Sequence, residues 1–229
     1  MDWITDNWIE IFGAAAGIIY VFLEIRQKVW LWPVGIITSA VYLEVFFSGK
    51  LYADMSLQGY YLIISILGWY WWLKGTAAGK NNTTGTEEYS QKEPGRDAEN
   101  TGGLKVTRLK TPTGVILAAV FIALHSGIWF ILSNFTDSPV PGWDSFITSL
   151  SVIATWMLAR KIYEHWYLWI IANAVSVILF TSRGLYPTMV LYFVYLIMSF
   201  AGLIEWKKGI TTESAIANDS FLDKVSTER

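Results

Sequence analysis

The sequence predicts an all-α integral membrane protein whose seven transmembrane helices form two three-helix repeats around one inverting linker helix. Three observations predict it. Of 229 residues, 53% are hydrophobic and only 16% charged, against roughly 25% charged in ordinary soluble domains. The apolar residues are gathered into runs of about 17 to 25, the length that crosses roughly 30 Å of hydrocarbon at about 1.5 Å per helical residue. The chain also matches itself at an offset of 134 residues.

The first run, 7–25, follows the acidic opening MDWITDNWIE, and its basic pair comes after the apolar core. That order is the reverse of a signal peptide, so the segment is expected to stay in the mature protein. Runs 30–47 and 52–74 complete a first repeat over 1–74. The polar span 75–112, with GKNNTTGTEEYSQKEPGRDAEN, predicts a flexible cytosolic connector. Run 113–135 is the linker, and runs 143–159, 165–182 and 185–206 form the second repeat, 143–208. Residues 209–229 read as a cytosolic tail resembling the connector.

Basic residues fix the expected orientation, because loops rich in Lys and Arg stay in the cytoplasm. With seven crossings, 15 of the 17 Lys and Arg fall on one side, leaving Lys50 and Arg183 on the other. The amino terminus is therefore expected outside and the carboxyl terminus in the cytoplasm. A net charge of −2 points to no nucleic-acid partner, and with no cysteine there is neither disulfide nor thiolate chemistry.

Residues 32–74, WPVGIITSAVYLEVFFSGKLYADMSLQGYYLIISILGWYWWLK, align with 166–208 at 18 of 43 positions. Trp32/Trp166, Ser65/Ser199, Gly68/Gly202, Trp72/Trp206 and Lys74/Lys208 are among the identities, and Arg26/Arg160 lies upstream. Apolar bias alone does not match Trp, Gly, Ser and Lys. Lys74 and Lys208 end on the basic side together, so the halves are expected to run parallel, a plan known among small carriers with a mid-membrane solute site.

Asn173 then sits about eight residues from either end of its helix, opposite its repeat mate Ser39. Trp166, Trp169, Asn173 and Ser176 follow at spacings of three, four and three, along one helical face. Asp54, Gln58, Tyr61 and Ser65 make a similar stripe in the third helix, mirrored by Thr188, Tyr192, Tyr195 and Ser199. Facing each other, such stripes would line a cavity for a flat, partly polar molecule. Lone intramembrane amides also serve merely to bond helices, but the central position and repeat symmetry of Asn173 favour a solute contact.

Trp3, Trp8, Trp30, Trp143 and Trp206 read as interface anchors, Trp166 fits either role, and Trp169 lies deep enough to stack on a ring. Asp54 and Glu44 divide between an outer gate and ordinary surface. A central carboxylate costs roughly 2.5–3.5 kcal/mol, less near the edge, so Glu44 is expected to face protein or water. His125 reads as a helix-packing residue, and Glu24 and Glu205 as surface partners of Arg26 and Lys208. No Walker loop, HExxH, GxSxG or paired metal-ligand set is present, which predicts no enzyme, no metal and no cofactor.

Taken together, LWPVGIITSAVYLEVFF, KLYADMSLQ, GWYWW, WDSFITSLSVIATWMLARK and EHWYLWIIANAVSVILF, with its WxxWxxxN pattern, resemble the PnuC family of bacterial vitamin carriers over residues 8–208. The family is known for nicotinamide riboside, with thiamine carried by relatives called PnuT. The resemblance implies a SWEET-like fold of 3+1+3 helices, a homotrimer in the inner membrane, and facilitated diffusion with the solute trapped by cytosolic phosphorylation. It assigns solute contacts to Trp166, Trp169 and Asn173 of WxxWxxxN and to Gln58 of LYADxxLQ. Thr38, Ser39, Tyr61 and Tyr195 complete the expected site. Riboside carriers would be expected to place another amide near the middle of the second helix, where this chain has Thr38 and Ser39; that leaves thiamine as the alternative solute. A vitamin receptor that does not transport and a SWEET-like sugar carrier are further alternatives.

Overall fold

The computed structural model describes the backbone of residues 8–48, 52–81, 104–136 and 138–227, and side chains over 11–48, 55–74, 104–136 and 138–210. Seven helices occupy the described residues: α1 (Trp8–Ile25), α2 (Leu31–Ser48), α3 (Tyr52–Asn81), α4 (Thr111–Phe135), α5 (Pro141–Ala159), α6 (His165–Ser182) and α7 (Tyr186–Thr227). Four stretches, Leu31–Ser48, Thr111–Phe135, His165–Ser182 and Tyr186–Ile210, are long and apolar enough to cross a membrane. α1, α3 and α5 fall on the other three predicted runs; the described apolar part of α1, Ile11–Ile25, is shorter, and polar stripes dilute the apolar character of α3 and α5.

The stripe on α5 is made tolerable by its own backbone. Ser149, Ser151 and Thr155 are buried and donate to the carbonyls of Ser145, Ile147 and Ser151 at 2.7, 2.9 and 2.8 Å. A hydroxyl satisfied one turn back can be buried at little cost. Pro112 in the first turn of α4 and Pro141 at the start of α5 need no hydrogen-bond partner there.

Helix packing follows the duplication. α2 lies along α3 and α6 along α7, α1 packs on α7, and α5 on α3. Because α1 and α5 are repeat mates, as are α3 and α7, the last two contacts are equivalent. α4 packs on α5, and none of its residues is buried.

Local geometry recurs at the same offset. Gln27 and Lys161 both have φ of 51°. At the end of α1, the Gln27 and Lys28 amides donate to Glu24 and Leu23 carbonyls at 3.0 and 2.9 Å, and at the end of α5 the Lys161 and Ile162 amides donate to Leu158 and Met157 at 2.9 and 2.9 Å. Each pair is a Schellman closure, which needs a left-handed residue just past the helix. The Trp32 ring lies where a Cβ on Gly68 would go, and the Trp166 ring does the same to Gly202. Trp32 meets Trp72 edge-on at 5.5 Å, and Trp166 meets Trp206 at 5.8 Å. The four indoles form the centre of one buried cluster.

Several expectations change here. Trp206 is not an interface anchor: it is fully buried, with its Nε1 donating to the Glu24 carbonyl at 3.1 Å. Trp30 and Trp143 are exposed, whereas Trp3 and the side chain of Trp8 lie outside the described residues. Glu24 is not a surface partner of Arg26, because its carboxyl is buried against His165, 141 residues away, at 3.0 Å. Glu205 does pair with Lys208, at 3.4 Å and in the open. Within the span read as a flexible connector, α3 continues to Asn81, and Thr107 forms a bridge to Ile162. Polarity misleads there because the partner of this short strand is a loop far away in sequence. The predicted tail is likewise helical, as α7 continues to Thr227.

Candidate solute-binding cavity

Between the two halves lies a cavity of about 370 Å³, lined from α1, α2, α3, α5, α6 and α7. Each of the eight residues predicted to contact solute, Thr38, Ser39, Gln58, Tyr61, Trp166, Trp169, Asn173 and Tyr195, lines it. They arrive on four helices that are separate in sequence. The spacing of three and four residues along each helix turns one stripe inward per helix.

Asn173 is buried and donates from Nδ2 to Ser199 Oγ at 3.1 Å, while Ser199 donates on to the Tyr195 carbonyl at 2.8 Å. This relay holds the amide plane, and Asn173 lines the cavity wall. Ser39 and Ser65, the mates of Asn173 and Ser199, line the opposite side. Thr38 spends its hydroxyl on the Val34 carbonyl at 2.8 Å.

The two tryptophans differ. Trp166 is fully buried, with the tilted His165 ring at 4.7 Å and Trp206 edge-on at 5.8 Å, and it is seated on Gly202. Its mate Trp32 has the same setting, so the position is first of all a packing wedge. Trp169 has Gly35 as its mate, so one half of the cavity carries an indole where the other carries none. The indole N–H of Trp169 is buried without an acceptor, a situation that costs about 1–3 kcal/mol. A ligand that brought an oxygen to it would relieve that cost.

Sequence reasoning missed the contribution of α1. Gly13 and Gly17 let the hydroxyls of Tyr42 and Tyr195 lie against its backbone. On the pseudo-equivalent face of α5, Ser151, the mate of Gly17, meets Tyr61, the mate of Tyr195. The small residues Gly13, Ala16 and Gly17 carried that signal, since they make a helix face that admits large neighbours. Tyr20, Glu24, Ile147 and Thr155 also line the wall.

Of the two gate candidates, Glu44 is exposed, accepts from Ser48 at 3.4 Å and is outside the lining. Asp54 lies on α3, but its side chain is outside the described residues. His125 faces α5, where its Nδ1 meets Ser145 Oγ at 3.1 Å, and stacks on Phe121 at 5.9 Å. That is a packing role between α4 and α5.

Comparison with known proteins agrees with this geometry. Residues 7–208 match the family described as Nicotinamide mononucleotide transporter. The chain is 27% identical over 208 residues to the nicotinamide riboside transporter PnuC of Escherichia coli K12, covering 87% of this chain and 85% of that one. It is 26% identical to the PnuC of Neisseria mucosa over 216 residues, covering 91% and 75%. It is also 24% identical to the riboflavin/roseoflavin transporter RibM of Streptomyces davaonensis, covering 90% and 92%. In fold it resembles the crystal structure of the vitamin B3 transporter PnuC, with a TM-score of 0.67 at 22% identity over 92% of this chain and 85% of that one. With the match spanning nearly all of the membrane-embedded body, this chain belongs to the nicotinamide mononucleotide transporter family, that of the PnuC carriers, and is a membrane transporter of small vitamins, not an enzyme.

Proposed function

We propose that the protein carries nicotinamide riboside across the bacterial inner membrane by facilitated diffusion. The observation that supports this most is the convergence of Trp169, Asn173, Gln58 and Tyr61 on one cavity between the halves. A pyridinium ring would stack on Trp169, with cation–π attraction of roughly 0.5–2 kcal/mol, while Asn173 and Gln58 bond the amide and sugar hydroxyls. Trp166 holds the wall behind them.

The transport step is a rocking of two parallel repeats in a 3+1+3, SWEET-like arrangement with α4 as the inverting linker. The paired helix ends at Gln27 and Lys161 and the paired tryptophan wedges favour this plan. In it the first repeat is 1–74, the second 143–208, and the connector, the tail and 15 of the 17 basic residues lie in the cytoplasm, with the amino terminus outside. Asp54 guards the outer entrance, kinases trap the solute by phosphorylation, and three copies assemble with α4 available on the outside of each.

Thiamine is a second reading, favoured by Ser39: the mate of Asn173 is a hydroxyl and not an amide. Counterflow of labelled nicotinamide riboside in proteoliposomes without any ion gradient tests the mechanism, and obligatory dependence on sodium or protons would refute it. Calorimetry of the purified protein with nicotinamide riboside, thiamine and riboflavin tests the solute, where a tenfold preference, about 1.4 kcal/mol, decides.

A further inference from the structure

We infer that Glu24 is the charge-selecting residue of the cavity, held in place by His165, so that the site prefers a cationic solute over a neutral one of the same shape. The inference rests on the reading of the cavity as a solute site.

Glu24 is the one lining residue with a carboxyl group among the described residues, and no Lys or Arg lines the cavity. Everything else on the wall is glycine, aliphatic, hydroxyl, amide or aromatic. A carboxyl group removed from water needs a partner, and Glu24 has one on its far side. Its Oε1 lies 3.0 Å from His165 Nε2, while His165 is fully buried and does not line the cavity.

The imidazole is fixed in turn. His165 Nδ1 lies 2.7 Å from the Ile162 carbonyl oxygen, which only accepts, so Nδ1 carries a proton and Nε2 is the nitrogen turned to Glu24. Trp166 and Trp206 rings, each 4.7 Å from the imidazole, pack against it. Trp206 Nε1 also ties down the Glu24 backbone at 3.1 Å. The pair therefore has a fixed direction: the imidazole is behind, in the protein, and the carboxyl group is in front, toward the cavity. Among the described residues Oε2 makes no hydrogen bond, which leaves it to whatever occupies the cavity. His165 acts as a positioning residue.

Both halves contribute, since Glu24 comes from α1 and His165 from α6. The mate of Glu24 is Leu158 and that of His165 is Leu31, so the charge occurs once in a duplicated frame. Such an asymmetry is unnecessary for packing, because two leucines fill the equivalent space in the other half.

The test uses the full-length protein in detergent, with nicotinamide riboside as the cation and its 1,4-dihydro form as the neutral counterpart, and Kd from calorimetry. The parent is expected to bind the cation at least fivefold more tightly. Glu24→Gln keeps the size and a hydrogen bond to His165, and is expected to weaken cation binding about tenfold while changing the neutral ligand less than twofold. Glu24→Asp restores part of the preference. Equal losses for both ligands, or no loss for either, overturn the inference, as does a parent without preference, which decides the matter even if a variant fails to fold. If the parent binds neither ligand, the solute reading itself falls and takes the inference with it.

Discussion

Lys161 Nζ donates to Gln27 Oε1 at 3.4 Å, and these two residues, 134 positions apart, are each other's repeat mates. A pair of mates in contact lies on the axis that relates the halves. Both are left-handed residues that close a helix, so α1 and α5 end together at this point. The ammonium also sits 4.3 Å from the centre of the Trp72 ring. Burial pushes Lys161 down to about 8 from its ordinary 10.5.

That shift has a sign. Between about pH 8 and 10.5 the unfolded chain holds a proton on Lys161 that the folded protein has released, so this residue makes stability rise with pH across the window, by about 3 kcal/mol in full. Lys161→Met removes the dependence. The melting temperature of the variant is expected to exceed that of the parent at pH 7.5, with the gap shrinking by pH 9.5. A gap that stays constant with pH would show that burial of this ammonium carries no such cost.

The paired wedges give a second expectation. A methyl group on Gly202 or Gly68 meets the Trp166 or Trp32 ring, whereas one on Gly59 meets nothing within 4 Å. Overpacking costs about 1–3 kcal/mol. Thermal melts should show Gly202→Ala and Gly68→Ala each destabilised on that scale, and Gly59→Ala unchanged or slightly stabilised, since alanine is the better helix former. Equal behaviour of all three would mean the tryptophans are free to move aside.

What could be read in advance follows from how far each signal reaches along the chain. The helices, the duplication and the inward stripes are local or periodic, and the 134-residue offset carried Ser39 to Asn173 and Tyr61 to Tyr195 before any coordinates. Glu24 was misread because its partner His165 is 141 residues away and because Arg26 lay nearby in sequence. Trp206 was misread for the same reason: a tryptophan next to lysines looks like an interface anchor until its neighbour Glu24 is known. The hydroxyls of α5 were passed over because each is satisfied by its own helix, which makes a polar wall helix look like a weak apolar one. Thr107 belongs with these, being one end of a pairing that only the folded chain brings together.

That pairing is open to test. The Thr107 amide donates to the Lys161 carbonyl at 2.9 Å, the Tyr163 amide donates to the Thr107 carbonyl at 2.9 Å, and the Leu109 amide donates to Glu164 Oε2 at 2.8 Å. Proline at position 107 removes a donor, worth about 0.5–1.5 kcal/mol. In Thr107→Pro, hydrogen exchange should quicken over 104–110 and at Tyr163, with the melting temperature down by a few degrees. Unchanged protection at Tyr163 would mean the strand docks without its ladder.

The cavity itself makes the sharpest demand, because its residues do unequal work. Asn173→Ala removes the amide held by Ser199 and is expected to weaken solute binding by about 1–3 kcal/mol, roughly 5- to 150-fold in Kd. Trp169→Ala removes the ring that has no counterpart in the other half, and with it the roughly 0.5–2 kcal/mol of cation–π attraction. Trp166→Ala strikes a wedge fully buried against Trp206 and Gly202, so its loss should appear first as a lowered melting temperature, from a stability loss of about 3–5 kcal/mol. Glu44→Gln, on an exposed face outside the lining, should leave affinity unchanged. Calorimetry on these four variants beside their melting curves separates contact from support. If Trp169→Ala bound as the parent does while Glu44→Gln did not, the solute would have to sit somewhere other than between the halves.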